Sequence, residues 1–318
     1  MNQLPFISAE FIEAHTNFND LVNALRQGFS GSIETPQRHH HDFSGNAAGA
    51  ESTLLLMPAW QTDKNLGVKI VTVSPDNAAV NLPSIHGIYI LIDAKTGIPK
   101  ALLDGTALTA KRTAAASALA ASYLAQDDAA SLLMIGTGAL APNLIRAHIS
   151  QRPVKQVWIW GRCIEKAERL KKTLTDLDVQ IDCVADLENT LGKAAIVSCA
   201  TLSKTPLVRG ALLKNGQHID LVGAYKKDMR EADDAVMRKA QIFIDTQQGI
   251  HESGDLHIPL ETGVITPADI QADLTKLCTN SHKGRIQRED LTLFKSVGHA
   301  SEDLIAANYY FKKQNENG

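Results

Sequence analysis

A glycine-rich turn between a predicted strand and a predicted helix constrains the fold of this chain more than any other feature. Residues 136–141 are Gly-Thr-Gly-Ala-Leu-Ala, which follow the apolar run SLLMI and open the helical pattern LAPNLIRAHIS. In that context G-x-G-x-x-G/A is typical of a dinucleotide-binding βαβ unit. Gly136 would permit the tight turn, Gly138 would let the backbone approach the pyrophosphate, and the small Ala141 would let the helix pack on the strand. The helix N-terminus would offer free N–H groups to the phosphates. The predicted phosphate contacts are Gly136, Thr137, Gly138, Ala139 and Leu140.

The segments that follow this turn alternate between strand and helix patterns. From Asp127 onward the chain carries apolar strand-like runs such as VWIW, QIDCV, AIVSC, HIDLV and QIFID, and the pattern IEKAERLKKTL is helical. Alternation at this spacing favours an α/β fold, a Rossmann-type doubly wound parallel sheet.

The N-terminal part has a different pattern, with strands clustered and few helices between them. A short strand is followed by helical segments with Ser8 and Asn19–Asp20 as candidate N-caps. Strands are then predicted over Thr53–Pro58, Gly67–Val73 and Gly87–Asp93, and the Ala-rich run 106–125 predicts a helix. This pattern predicts an α+β unit, and DLIAANYYFKKQ predicts a terminal helix.

The residues after the second Rossmann strand indicate which nucleotide is bound. An NAD-specific fold usually carries a carboxylate about 20 residues beyond the glycine motif, to hold the ribose 2′-OH. Here VWIW is followed by Gly161 and Arg162, with Lys166 close behind. A guanidinium suits a 2′-phosphate through paired, charge-assisted hydrogen bonds. NADP(H) is therefore the predicted cofactor, with NAD(H) possible and a solvated arginine as the alternative interpretation.

Composition excludes several classes of function. Lys and Arg number 32 against 35 Asp and Glu, a net charge of −3, so no basic field would recruit nucleic acid or an anionic membrane. The 4 cysteines form no CxxC pair and have no histidine at zinc spacing, so no metal site is predicted and buried reduced thiols are expected. The chain contains neither a stretch of ~18 apolar residues nor a signal-peptide pattern at its start. These features predict a cytoplasmic protein.

Three cations in the first part of the chain are candidates for an anion-binding pocket. Lys69 lies in the middle of a predicted strand, Arg112 in the Ala-rich helix, and Arg38 in a turn-rich segment. If they converge, they would bind a small acid; the alternative is three separate surface charges.

His86 is a further candidate near the substrate, or else a structural histidine. His39, His40 and His41 are interpreted as a polar loop, since consecutive strand residues point alternately and cannot all face one ion.

Several long blocks of the sequence resemble one known family. The run DGTALTAKRTAAAS (104–117) is similar to the signature of the ornithine cyclodeaminase/mu-crystallin family. The other matching blocks, in family order over nearly the whole chain, are LLLMPAW, GVKIVTVSPDN, LPSIHG, IGTGALA, WGR, SCAT and SVGHASEDL.

This resemblance implies a domain organisation and a set of site residues. It implies a substrate-binding and dimerisation domain over 1–117, joined by 299–318, and an NADP(H)-binding Rossmann domain over 118–298. Family enzymes bind an amino or imino acid carboxylate at the positions of Arg38, Lys69 and Arg112, and the lysine handles a proton at the substrate nitrogen. The implied further cofactor contacts are Thr113, Ala200, Thr201, Val222, Gly223, Ser296 and Gly298. Ordinary turn, core and cap residues of a Rossmann domain are the alternative interpretation of this set.

One departure from the family pattern narrows the expected activity. Cyclodeaminases and the alanine dehydrogenases of this family carry a catalytic aspartate where Tyr225 stands here, and Asp228 follows three residues later. Tyrosine, with a reference pKa of ~10, is a poor base at neutral pH. The DMRE sequence (228–231) resembles the branch that reduces cyclic ketimine acids.

The expected activity is therefore NADPH-dependent reduction of Δ1-pyrroline-2-carboxylate or Δ1-piperideine-2-carboxylate by a homodimer. The alternatives are a cyclodeaminase or alanine-type dehydrogenase, or a non-enzymatic NADPH-dependent binder of the mu-crystallin type.

Overall fold

The computed structural model describes residues 4–43 and 52–317, and the chain divides into two compact units. Unit 1 comprises residues 1–112 and 299–318, and unit 2 comprises residues 113–298. The first boundary falls between Arg112 and Thr113, inside one continuous helix, rather than after Ser117.

The strands and helices have the following bounds. The strands are β1 Phe6–Ile7, β2 His39–Asp42, β3 Thr53–Trp60, β4 Asn65–Val73, β5 Ile85–Asp93, β6 Pro99–Asp104, β7 Ser131–Ile135, β8 Gln156–Trp160, β9 Gln180–Val184, β10 Ile196–Cys199, β11 His218–Leu221, β12 Gln241–Ile244, β13 Ile270–Asp273 and β14 Thr292–Lys295. The α-helices are α1 Ala9–His15, α2 Phe18–Phe29, α3 Gly105–Leu124, α4 Ala141–Gln151, α5 Ile164–Lys172, α6 Leu187–Leu191, α7 Asp234–Lys239, α8 Gly254–Glu261, α9 Leu274–Cys278 and α10 Ala300–Asn317. Short 3-10 helices cover Pro75–Val80, Gln247–His251 and Pro267–Asp269.

Unit 1 is built on a mixed sheet in the order β1-β6-β5-β4-β3-β2, antiparallel except for the β1–β6 pair. Helix α10 packs on strands β3, β4 and β5, and α2 packs on α10. On β4, Gly67, Lys69 and Val71 are buried while the residues between them are half-buried, so one face of the sheet is covered more completely than the other. The predicted α+β unit is therefore present.

Local details of unit 1 correct two predictions. Ser8 caps α1 as predicted, but Asn17 caps α2 in place of Asn19–Asp20. The helix begins one turn earlier because Phe18 and Leu21 are both buried on its apolar face. The segment His39–Asp42 is an exposed edge strand paired with β3, and not the predicted loop.

Unit 2 is a parallel sheet in the order β13-β12-β14-β11-β10-β7-β8-β9. The chain proceeds from β7 outward to β9 and then returns to add β10 on the other side of β7, so the strand order reverses between β7 and β10. Ligands of open α/β sheets bind at the carboxyl ends of the strands at such a reversal. The predicted Rossmann-type fold is confirmed, and this crevice begins directly after Ile135 and Cys199.

A buried polar chain ties α4 to this sheet. The side chain of His148, on α4, lies 3.1 Å from Asp220 Oδ2, and Ser198 Oγ donates to the same oxygen at 2.7 Å. Burial would raise the pKa of Asp220, but hydrogen bonding and charge from His148 outweigh burial and lower it. Because α4 begins at the glycine turn, this chain helps to fix the predicted phosphate-binding helix on the sheet.

Candidate active site

The predicted cations Lys69 and Arg112 meet at one buried carboxylate of α10. Lys69 Nζ lies 2.9 Å from Asp303 Oδ1 and 2.8 Å from Oδ2. Arg112 Nε donates to the same Oδ1 at 2.8 Å, and Arg112 Nη1 donates to Glu302 Oε2 at 2.6 Å. Lys69 and Arg112 are only 2% and 3% exposed, and both carboxylates are fully buried. Strand β4 and helices α3 and α10 thus assemble a charge-compensated cluster.

Burial and neighbouring charges set the protonation of this cluster. The pKa of Lys69 is lowered to about 8, chiefly by burial and by the Arg112 charge, and Asp303 partly offsets this. Burial would also lower the pKa of Arg112, yet its two carboxylate partners raise it. Arg112 and Lys69 together hold the pKa of Asp303 below its usual value despite its burial. With its pKa lowered to about 8, the Lys69 ammonium is chemically able to donate a proton near neutral pH.

Arg38 lies close enough for its charge to act on the same lysine. Its guanidinium contributes to lowering the pKa of Lys69, and its side chain is half-buried just before β2. The three predicted cations are thus electrostatically coupled, and Lys69 and Arg112 already hold buried carboxylate partners.

His86 does not lie with this cluster. It is exposed and pairs in register with Thr72, three residues beyond Lys69 on β4. Because side chains alternate along a strand, His86 lies on the opposite face of the sheet from Lys69.

Tyr89 was not identified from the sequence, yet its fully buried side chain borders the cluster. It is the direct cross-strand partner of Lys69. Burial, and secondarily the Asp303 charge, raise the pKa of its phenol. A Cβ atom on Gly67 would lie 2.0 Å from Tyr89 Oη, so glycine at position 67 makes room for this ring.

In unit 2, the glycine turn has the geometry that a pyrophosphate requires. Gly136 has φ +117, and a Cβ atom there would lie 2.5 Å from the carbonyl oxygen of Ala200. A Cβ atom on Gly138 would meet nothing within 4 Å, so the backbone faces open space at that point. Helix α4 begins after Leu140 without a side-chain cap, but Ala141 N already donates to Gly138 O at 3.1 Å and Pro142 has no N–H, so the glycine turn, and not the first two residues of the helix, offers the approach to an anion. The residues present therefore fit a dinucleotide.

Glu231, which the sequence interpretation did not single out, links two of the predicted cofactor segments. Its Oε1 accepts Thr201 N at 2.7 Å and Thr201 Oγ1 at 2.9 Å. Its Oε2 accepts the N–H groups of Gly223 at 2.8 Å and Ala224 at 3.1 Å. One buried carboxylate thus joins the loops that follow β10 and β11, while Val222 N donates to Cys199 O at 2.8 Å.

Two more buried acidic residues complete this framework. Asp255 Oδ1 accepts Glu231 N at 2.8 Å, and Lys295 Nζ lies 3.2 Å from Asp255 Oδ2. Asp245 Oδ2 accepts Ser296 Oγ at 3.1 Å and Gly298 N at 2.7 Å. The predicted cofactor residues beyond β10, β11 and β14 are therefore held by carboxylates on neighbouring loops.

The remaining predicted cofactor residues lie at the end of β8 and on α3. Gly161 packs against Thr137, since a Cβ atom there would lie 2.8 Å from Thr137 Cγ2. Arg162 and Lys166 are both exposed, beyond the last residue of β8, as a nucleotide phosphate would require. Thr113 is buried on α3.

Tyr225 and Asp228 occupy the surface of unit 2. Tyr225 is 38% exposed, and the exposed Asp228 carboxylate pairs with Lys204 at 2.7 Å. This ion pair lowers the pKa of Asp228. Neither residue lies with Glu231 in the buried framework.

Over the described residues 4–43 and 52–317, no group of His, Cys, Asp or Glu side chains is arranged to hold a metal ion. Cys199 and Cys278 are buried as expected, while Cys163 and Cys183 are partly exposed, and each of the four is a cysteine outside any disulfide. No helix in that part of the chain is both long and apolar enough to span a membrane.

Comparison with known proteins identifies the family. The model of the ornithine cyclodeaminase/mu-crystallin family matches residues 5–318. The Δ(1)-pyrroline-2-carboxylate reductase of Colwellia psychrerythraea is 35% identical over 98% of this chain and 99% of its own. The corresponding reductase of Paracoccus denitrificans is 36% identical over 96% and 95%. The structure of Thermococcus litoralis Δ(1)-pyrroline-2-carboxylate reductase with NADH and L-proline superposes with a TM-score of 0.92 at 31% identity, covering 99% of this chain and 98% of that one. The resemblance predicted from the sequence blocks is confirmed, and the chain belongs to the ornithine cyclodeaminase/mu-crystallin family.

Proposed function

We propose that this protein reduces a cyclic ketimine acid, Δ1-pyrroline-2-carboxylate or Δ1-piperideine-2-carboxylate, to L-proline or L-pipecolate with NADPH. The observation that carries the proposal is the pairing of Lys69 and Arg112 on Asp303, which supports roles for the lysine as proton donor and for the guanidinium as the group that binds the substrate carboxylate. The similarity to reductases named for Δ(1)-pyrroline-2-carboxylate supports the same chemistry.

Lys69 supplies the proton in the proposed reaction. Reduction of the C=N bond adds one hydride to carbon and one proton to nitrogen. With a pKa of about 8, the Lys69 ammonium is mostly charged at neutral pH and can still release its proton. The nicotinamide supplies the hydride when the cofactor is bound.

Arg112 binds the substrate carboxylate, although two of its three side-chain nitrogens already have carboxylate partners. Nε and Nη1 already donate to Asp303 and Glu302. Nη2 makes no hydrogen bond to the residues that the structure describes and is the nitrogen free for the substrate. In this proposal the substrate carboxylate therefore binds to Arg112 Nη2, with Arg38 as the second cation.

Unit 2 holds the cofactor in this proposal. The glycine turn at residues 136–138 binds the pyrophosphate, and Arg162 with Lys166 binds the 2′-phosphate. The loops fixed by Glu231 and Asp245 support the nicotinamide half, which would contact Thr113, Ala200, Thr201, Val222, Gly223, Ser296 and Gly298. The absence of a carboxylate directly after β8 supports NADPH over NADH.

The proposal is tested by measuring NADPH oxidation with five- and six-membered cyclic imino acids. We expect turnover on at least one ring size, with stoichiometric formation of the cyclic amino acid. Ammonia release from ornithine or lysine without net NADPH consumption would identify a cyclodeaminase instead. Tight NADPH-dependent binding without turnover of any imine would identify a binding protein.

A further inference from the structure

We propose that Asp303 is a positioning residue that holds the proton donor Lys69 and the carboxylate clamp Arg112 as one unit. This inference rests on the proposed reduction and names a residue that controls both of its halves. Asp303 Oδ1 accepts from Lys69 Nζ at 2.9 Å and from Arg112 Nε at 2.8 Å, so one oxygen fixes both side chains.

The neighbouring acid, Glu302, lacks this double contact. It accepts from Arg112 Nη1 at 2.6 Å, and no ion pair joins it to Lys69 among the described residues. Both acids are fully buried and stand side by side on α10. The chain therefore offers a matched pair of variants, Asp303→Asn and Glu302→Gln, that remove one buried charge each but differ in their contact with the lysine.

The groups that face Lys69 determine the sign of the expected effect. Arg112 comes from α3, Asp303 from α10, Tyr89 from β5, and Arg38 from the segment before β2. Among them Asp303 is the anion, and it raises the pKa of Lys69, whereas both arginines and burial lower it. Removing the Asp303 charge must therefore lower the pKa of Lys69 below about 8. By the usual effect of a close opposite charge, the decrease should be at least about one pH unit.

The experiment measures the pH profile of imine reduction for the parent and both variants. In the parent, kcat falls as the pH rises through the pKa of Lys69, since only the ammonium can donate a proton. Asp303→Asn should move this alkaline limb to lower pH by at least about one unit and also raise KM, because a neutral amide oxygen holds Arg112 more weakly than a carboxylate oxygen does. Glu302→Gln should raise KM and leave the limb in place. Ionisation of the substrate is common to all three proteins and cancels in the comparison.

A second measurement is independent of turnover. Selective ¹³C labelling of lysine Cε, with the Lys69 signal assigned by Lys69→Arg, gives the pKa of Lys69 by NMR titration. Circular dichroism and thermal unfolding establish that each variant is folded. Asp303→Asn should lower that pKa and Glu302→Gln should not.

Each failure has a distinct signature. A parent that reduces no cyclic imine overturns the proposed function, while the NMR titration still decides the role of Asp303. If the parent is active, the Asp303 inference is overturned when the alkaline limb of the kcat profile and the pKa of Lys69 are the same in Asp303→Asn as in the parent. The inference also fails if they move equally in Glu302→Gln, since loss of either charge would then suffice.

Discussion

The Glu231 carboxylate accepts the backbone N–H of Gly223 at 2.8 Å, although the side chain begins on a separate segment eight residues further along. Through its other oxygen it holds Thr201, so one side chain sets the spacing of two strand-end loops. The DMRE sequence, which resembles the branch of the family that reduces cyclic ketimine acids, therefore also has a structural role in unit 2 through its last residue, Glu231.

Glu231→Gln should weaken cofactor binding. The amide nitrogen of glutamine cannot accept a hydrogen bond, so two of the four N–H and O–H donors now held by the carboxylate lose their acceptor. Loss of buried hydrogen bonds to a charged group costs about 1.5–3 kcal/mol each, although the loops can relax, and we expect the Kd for NADPH to rise at least about tenfold. Fluorescence titration of NADPH measures this without turnover. Glu188→Gln, which breaks an exposed ion pair with Arg209, is the control. An unchanged Kd in Glu231→Gln would show that the loops hold their positions without this anchor.

Arg162→Ala should erase the preference for NADPH over NADH. The exposed guanidinium after β8 is the proposed partner of the 2′-phosphate. Losing such a charged hydrogen bond costs about 1.5–3 kcal/mol, or roughly tenfold to a hundredfold in NADPH affinity, while NADH affinity stays constant. Arg169→Ala, an exposed arginine further along α5, is the matched control. If Arg162→Ala keeps the parent preference, another residue selects the cofactor.

Lys69→Ala and Arg112→Lys should affect different kinetic constants. Loss of the proton donor should lower kcat by about 10²–10⁴ with saturating imine and NADPH. Lysine at position 112 keeps the charge but cannot contact Asp303, Glu302 and the substrate together, so KM for the imine should rise strongly with little change in NADPH affinity. Because both side chains bond Asp303 Oδ1, the double variant should be non-additive. A kcat for Lys69→Ala within a few-fold of the parent value would leave the lysine with a binding role only.

His218 should make the protein sensitive to acid. Burial lowers its pKa to about 3 from an ordinary value of 6.5, and its Nδ1 lies 3.0 Å from Thr292 Oγ1. Since the unfolded chain takes up this proton at higher pH than the folded one, the free energy of unfolding falls as the pH drops from about 6.5 toward 3. Urea unfolding at pH 7 and pH 5 should show a smaller loss in His218→Gln than in the parent. An equal loss in both would assign the acid sensitivity to other groups.

Several parts of the fold could be predicted from short stretches of the sequence alone. The glycine turn at Gly136 and the apolar runs of β7 and β8 form recognisable local patterns, and the alanine content of α3 gives that segment a high helix propensity. The unit boundary inside that helix has no local signal, because neither composition nor a turn marks Arg112. The edge strand at His39–Asp42 was missed because three exposed histidines carry no apolar alternation, and only pairing with β3 makes them a strand.

The cations of the site could be found from the sequence, but the buried acids could not. Lys69 stood out because a charge in the middle of an apolar strand needs a partner. Glu302 and Asp303 are instead ordinary acidic residues for the first turn of a helix, where the helix dipole favours them. Their partner Arg112 lies 190 and 191 residues away, and one sequence without an alignment contains no signal for a contact of that range.

The outer face of the unit 1 sheet should be the surface through which two copies of this chain pair. On that face Val68 stands directly opposite Ile90, and Ile70 opposite Ile88 and Leu56. All of them are half-buried, whereas the alternate residues under α10, such as Tyr89 and Leu91, are fully buried. A contiguous apolar sheet face of this kind is costly in water, and closed twofold dimers are the commonest way to cover one.

Sedimentation of the parent should give about twice the chain mass of 34.4 kDa. Val68→Asp, which places a charge in the centre of the face, should yield monomer, since an unpaired buried charge is strongly unfavourable. Ile98→Asp, at a 62% exposed position in the turn between β5 and β6, is the control and should stay dimeric. A fully active monomer of the parent protein would refute the pairing, because the apolar face would then be stable without a second copy.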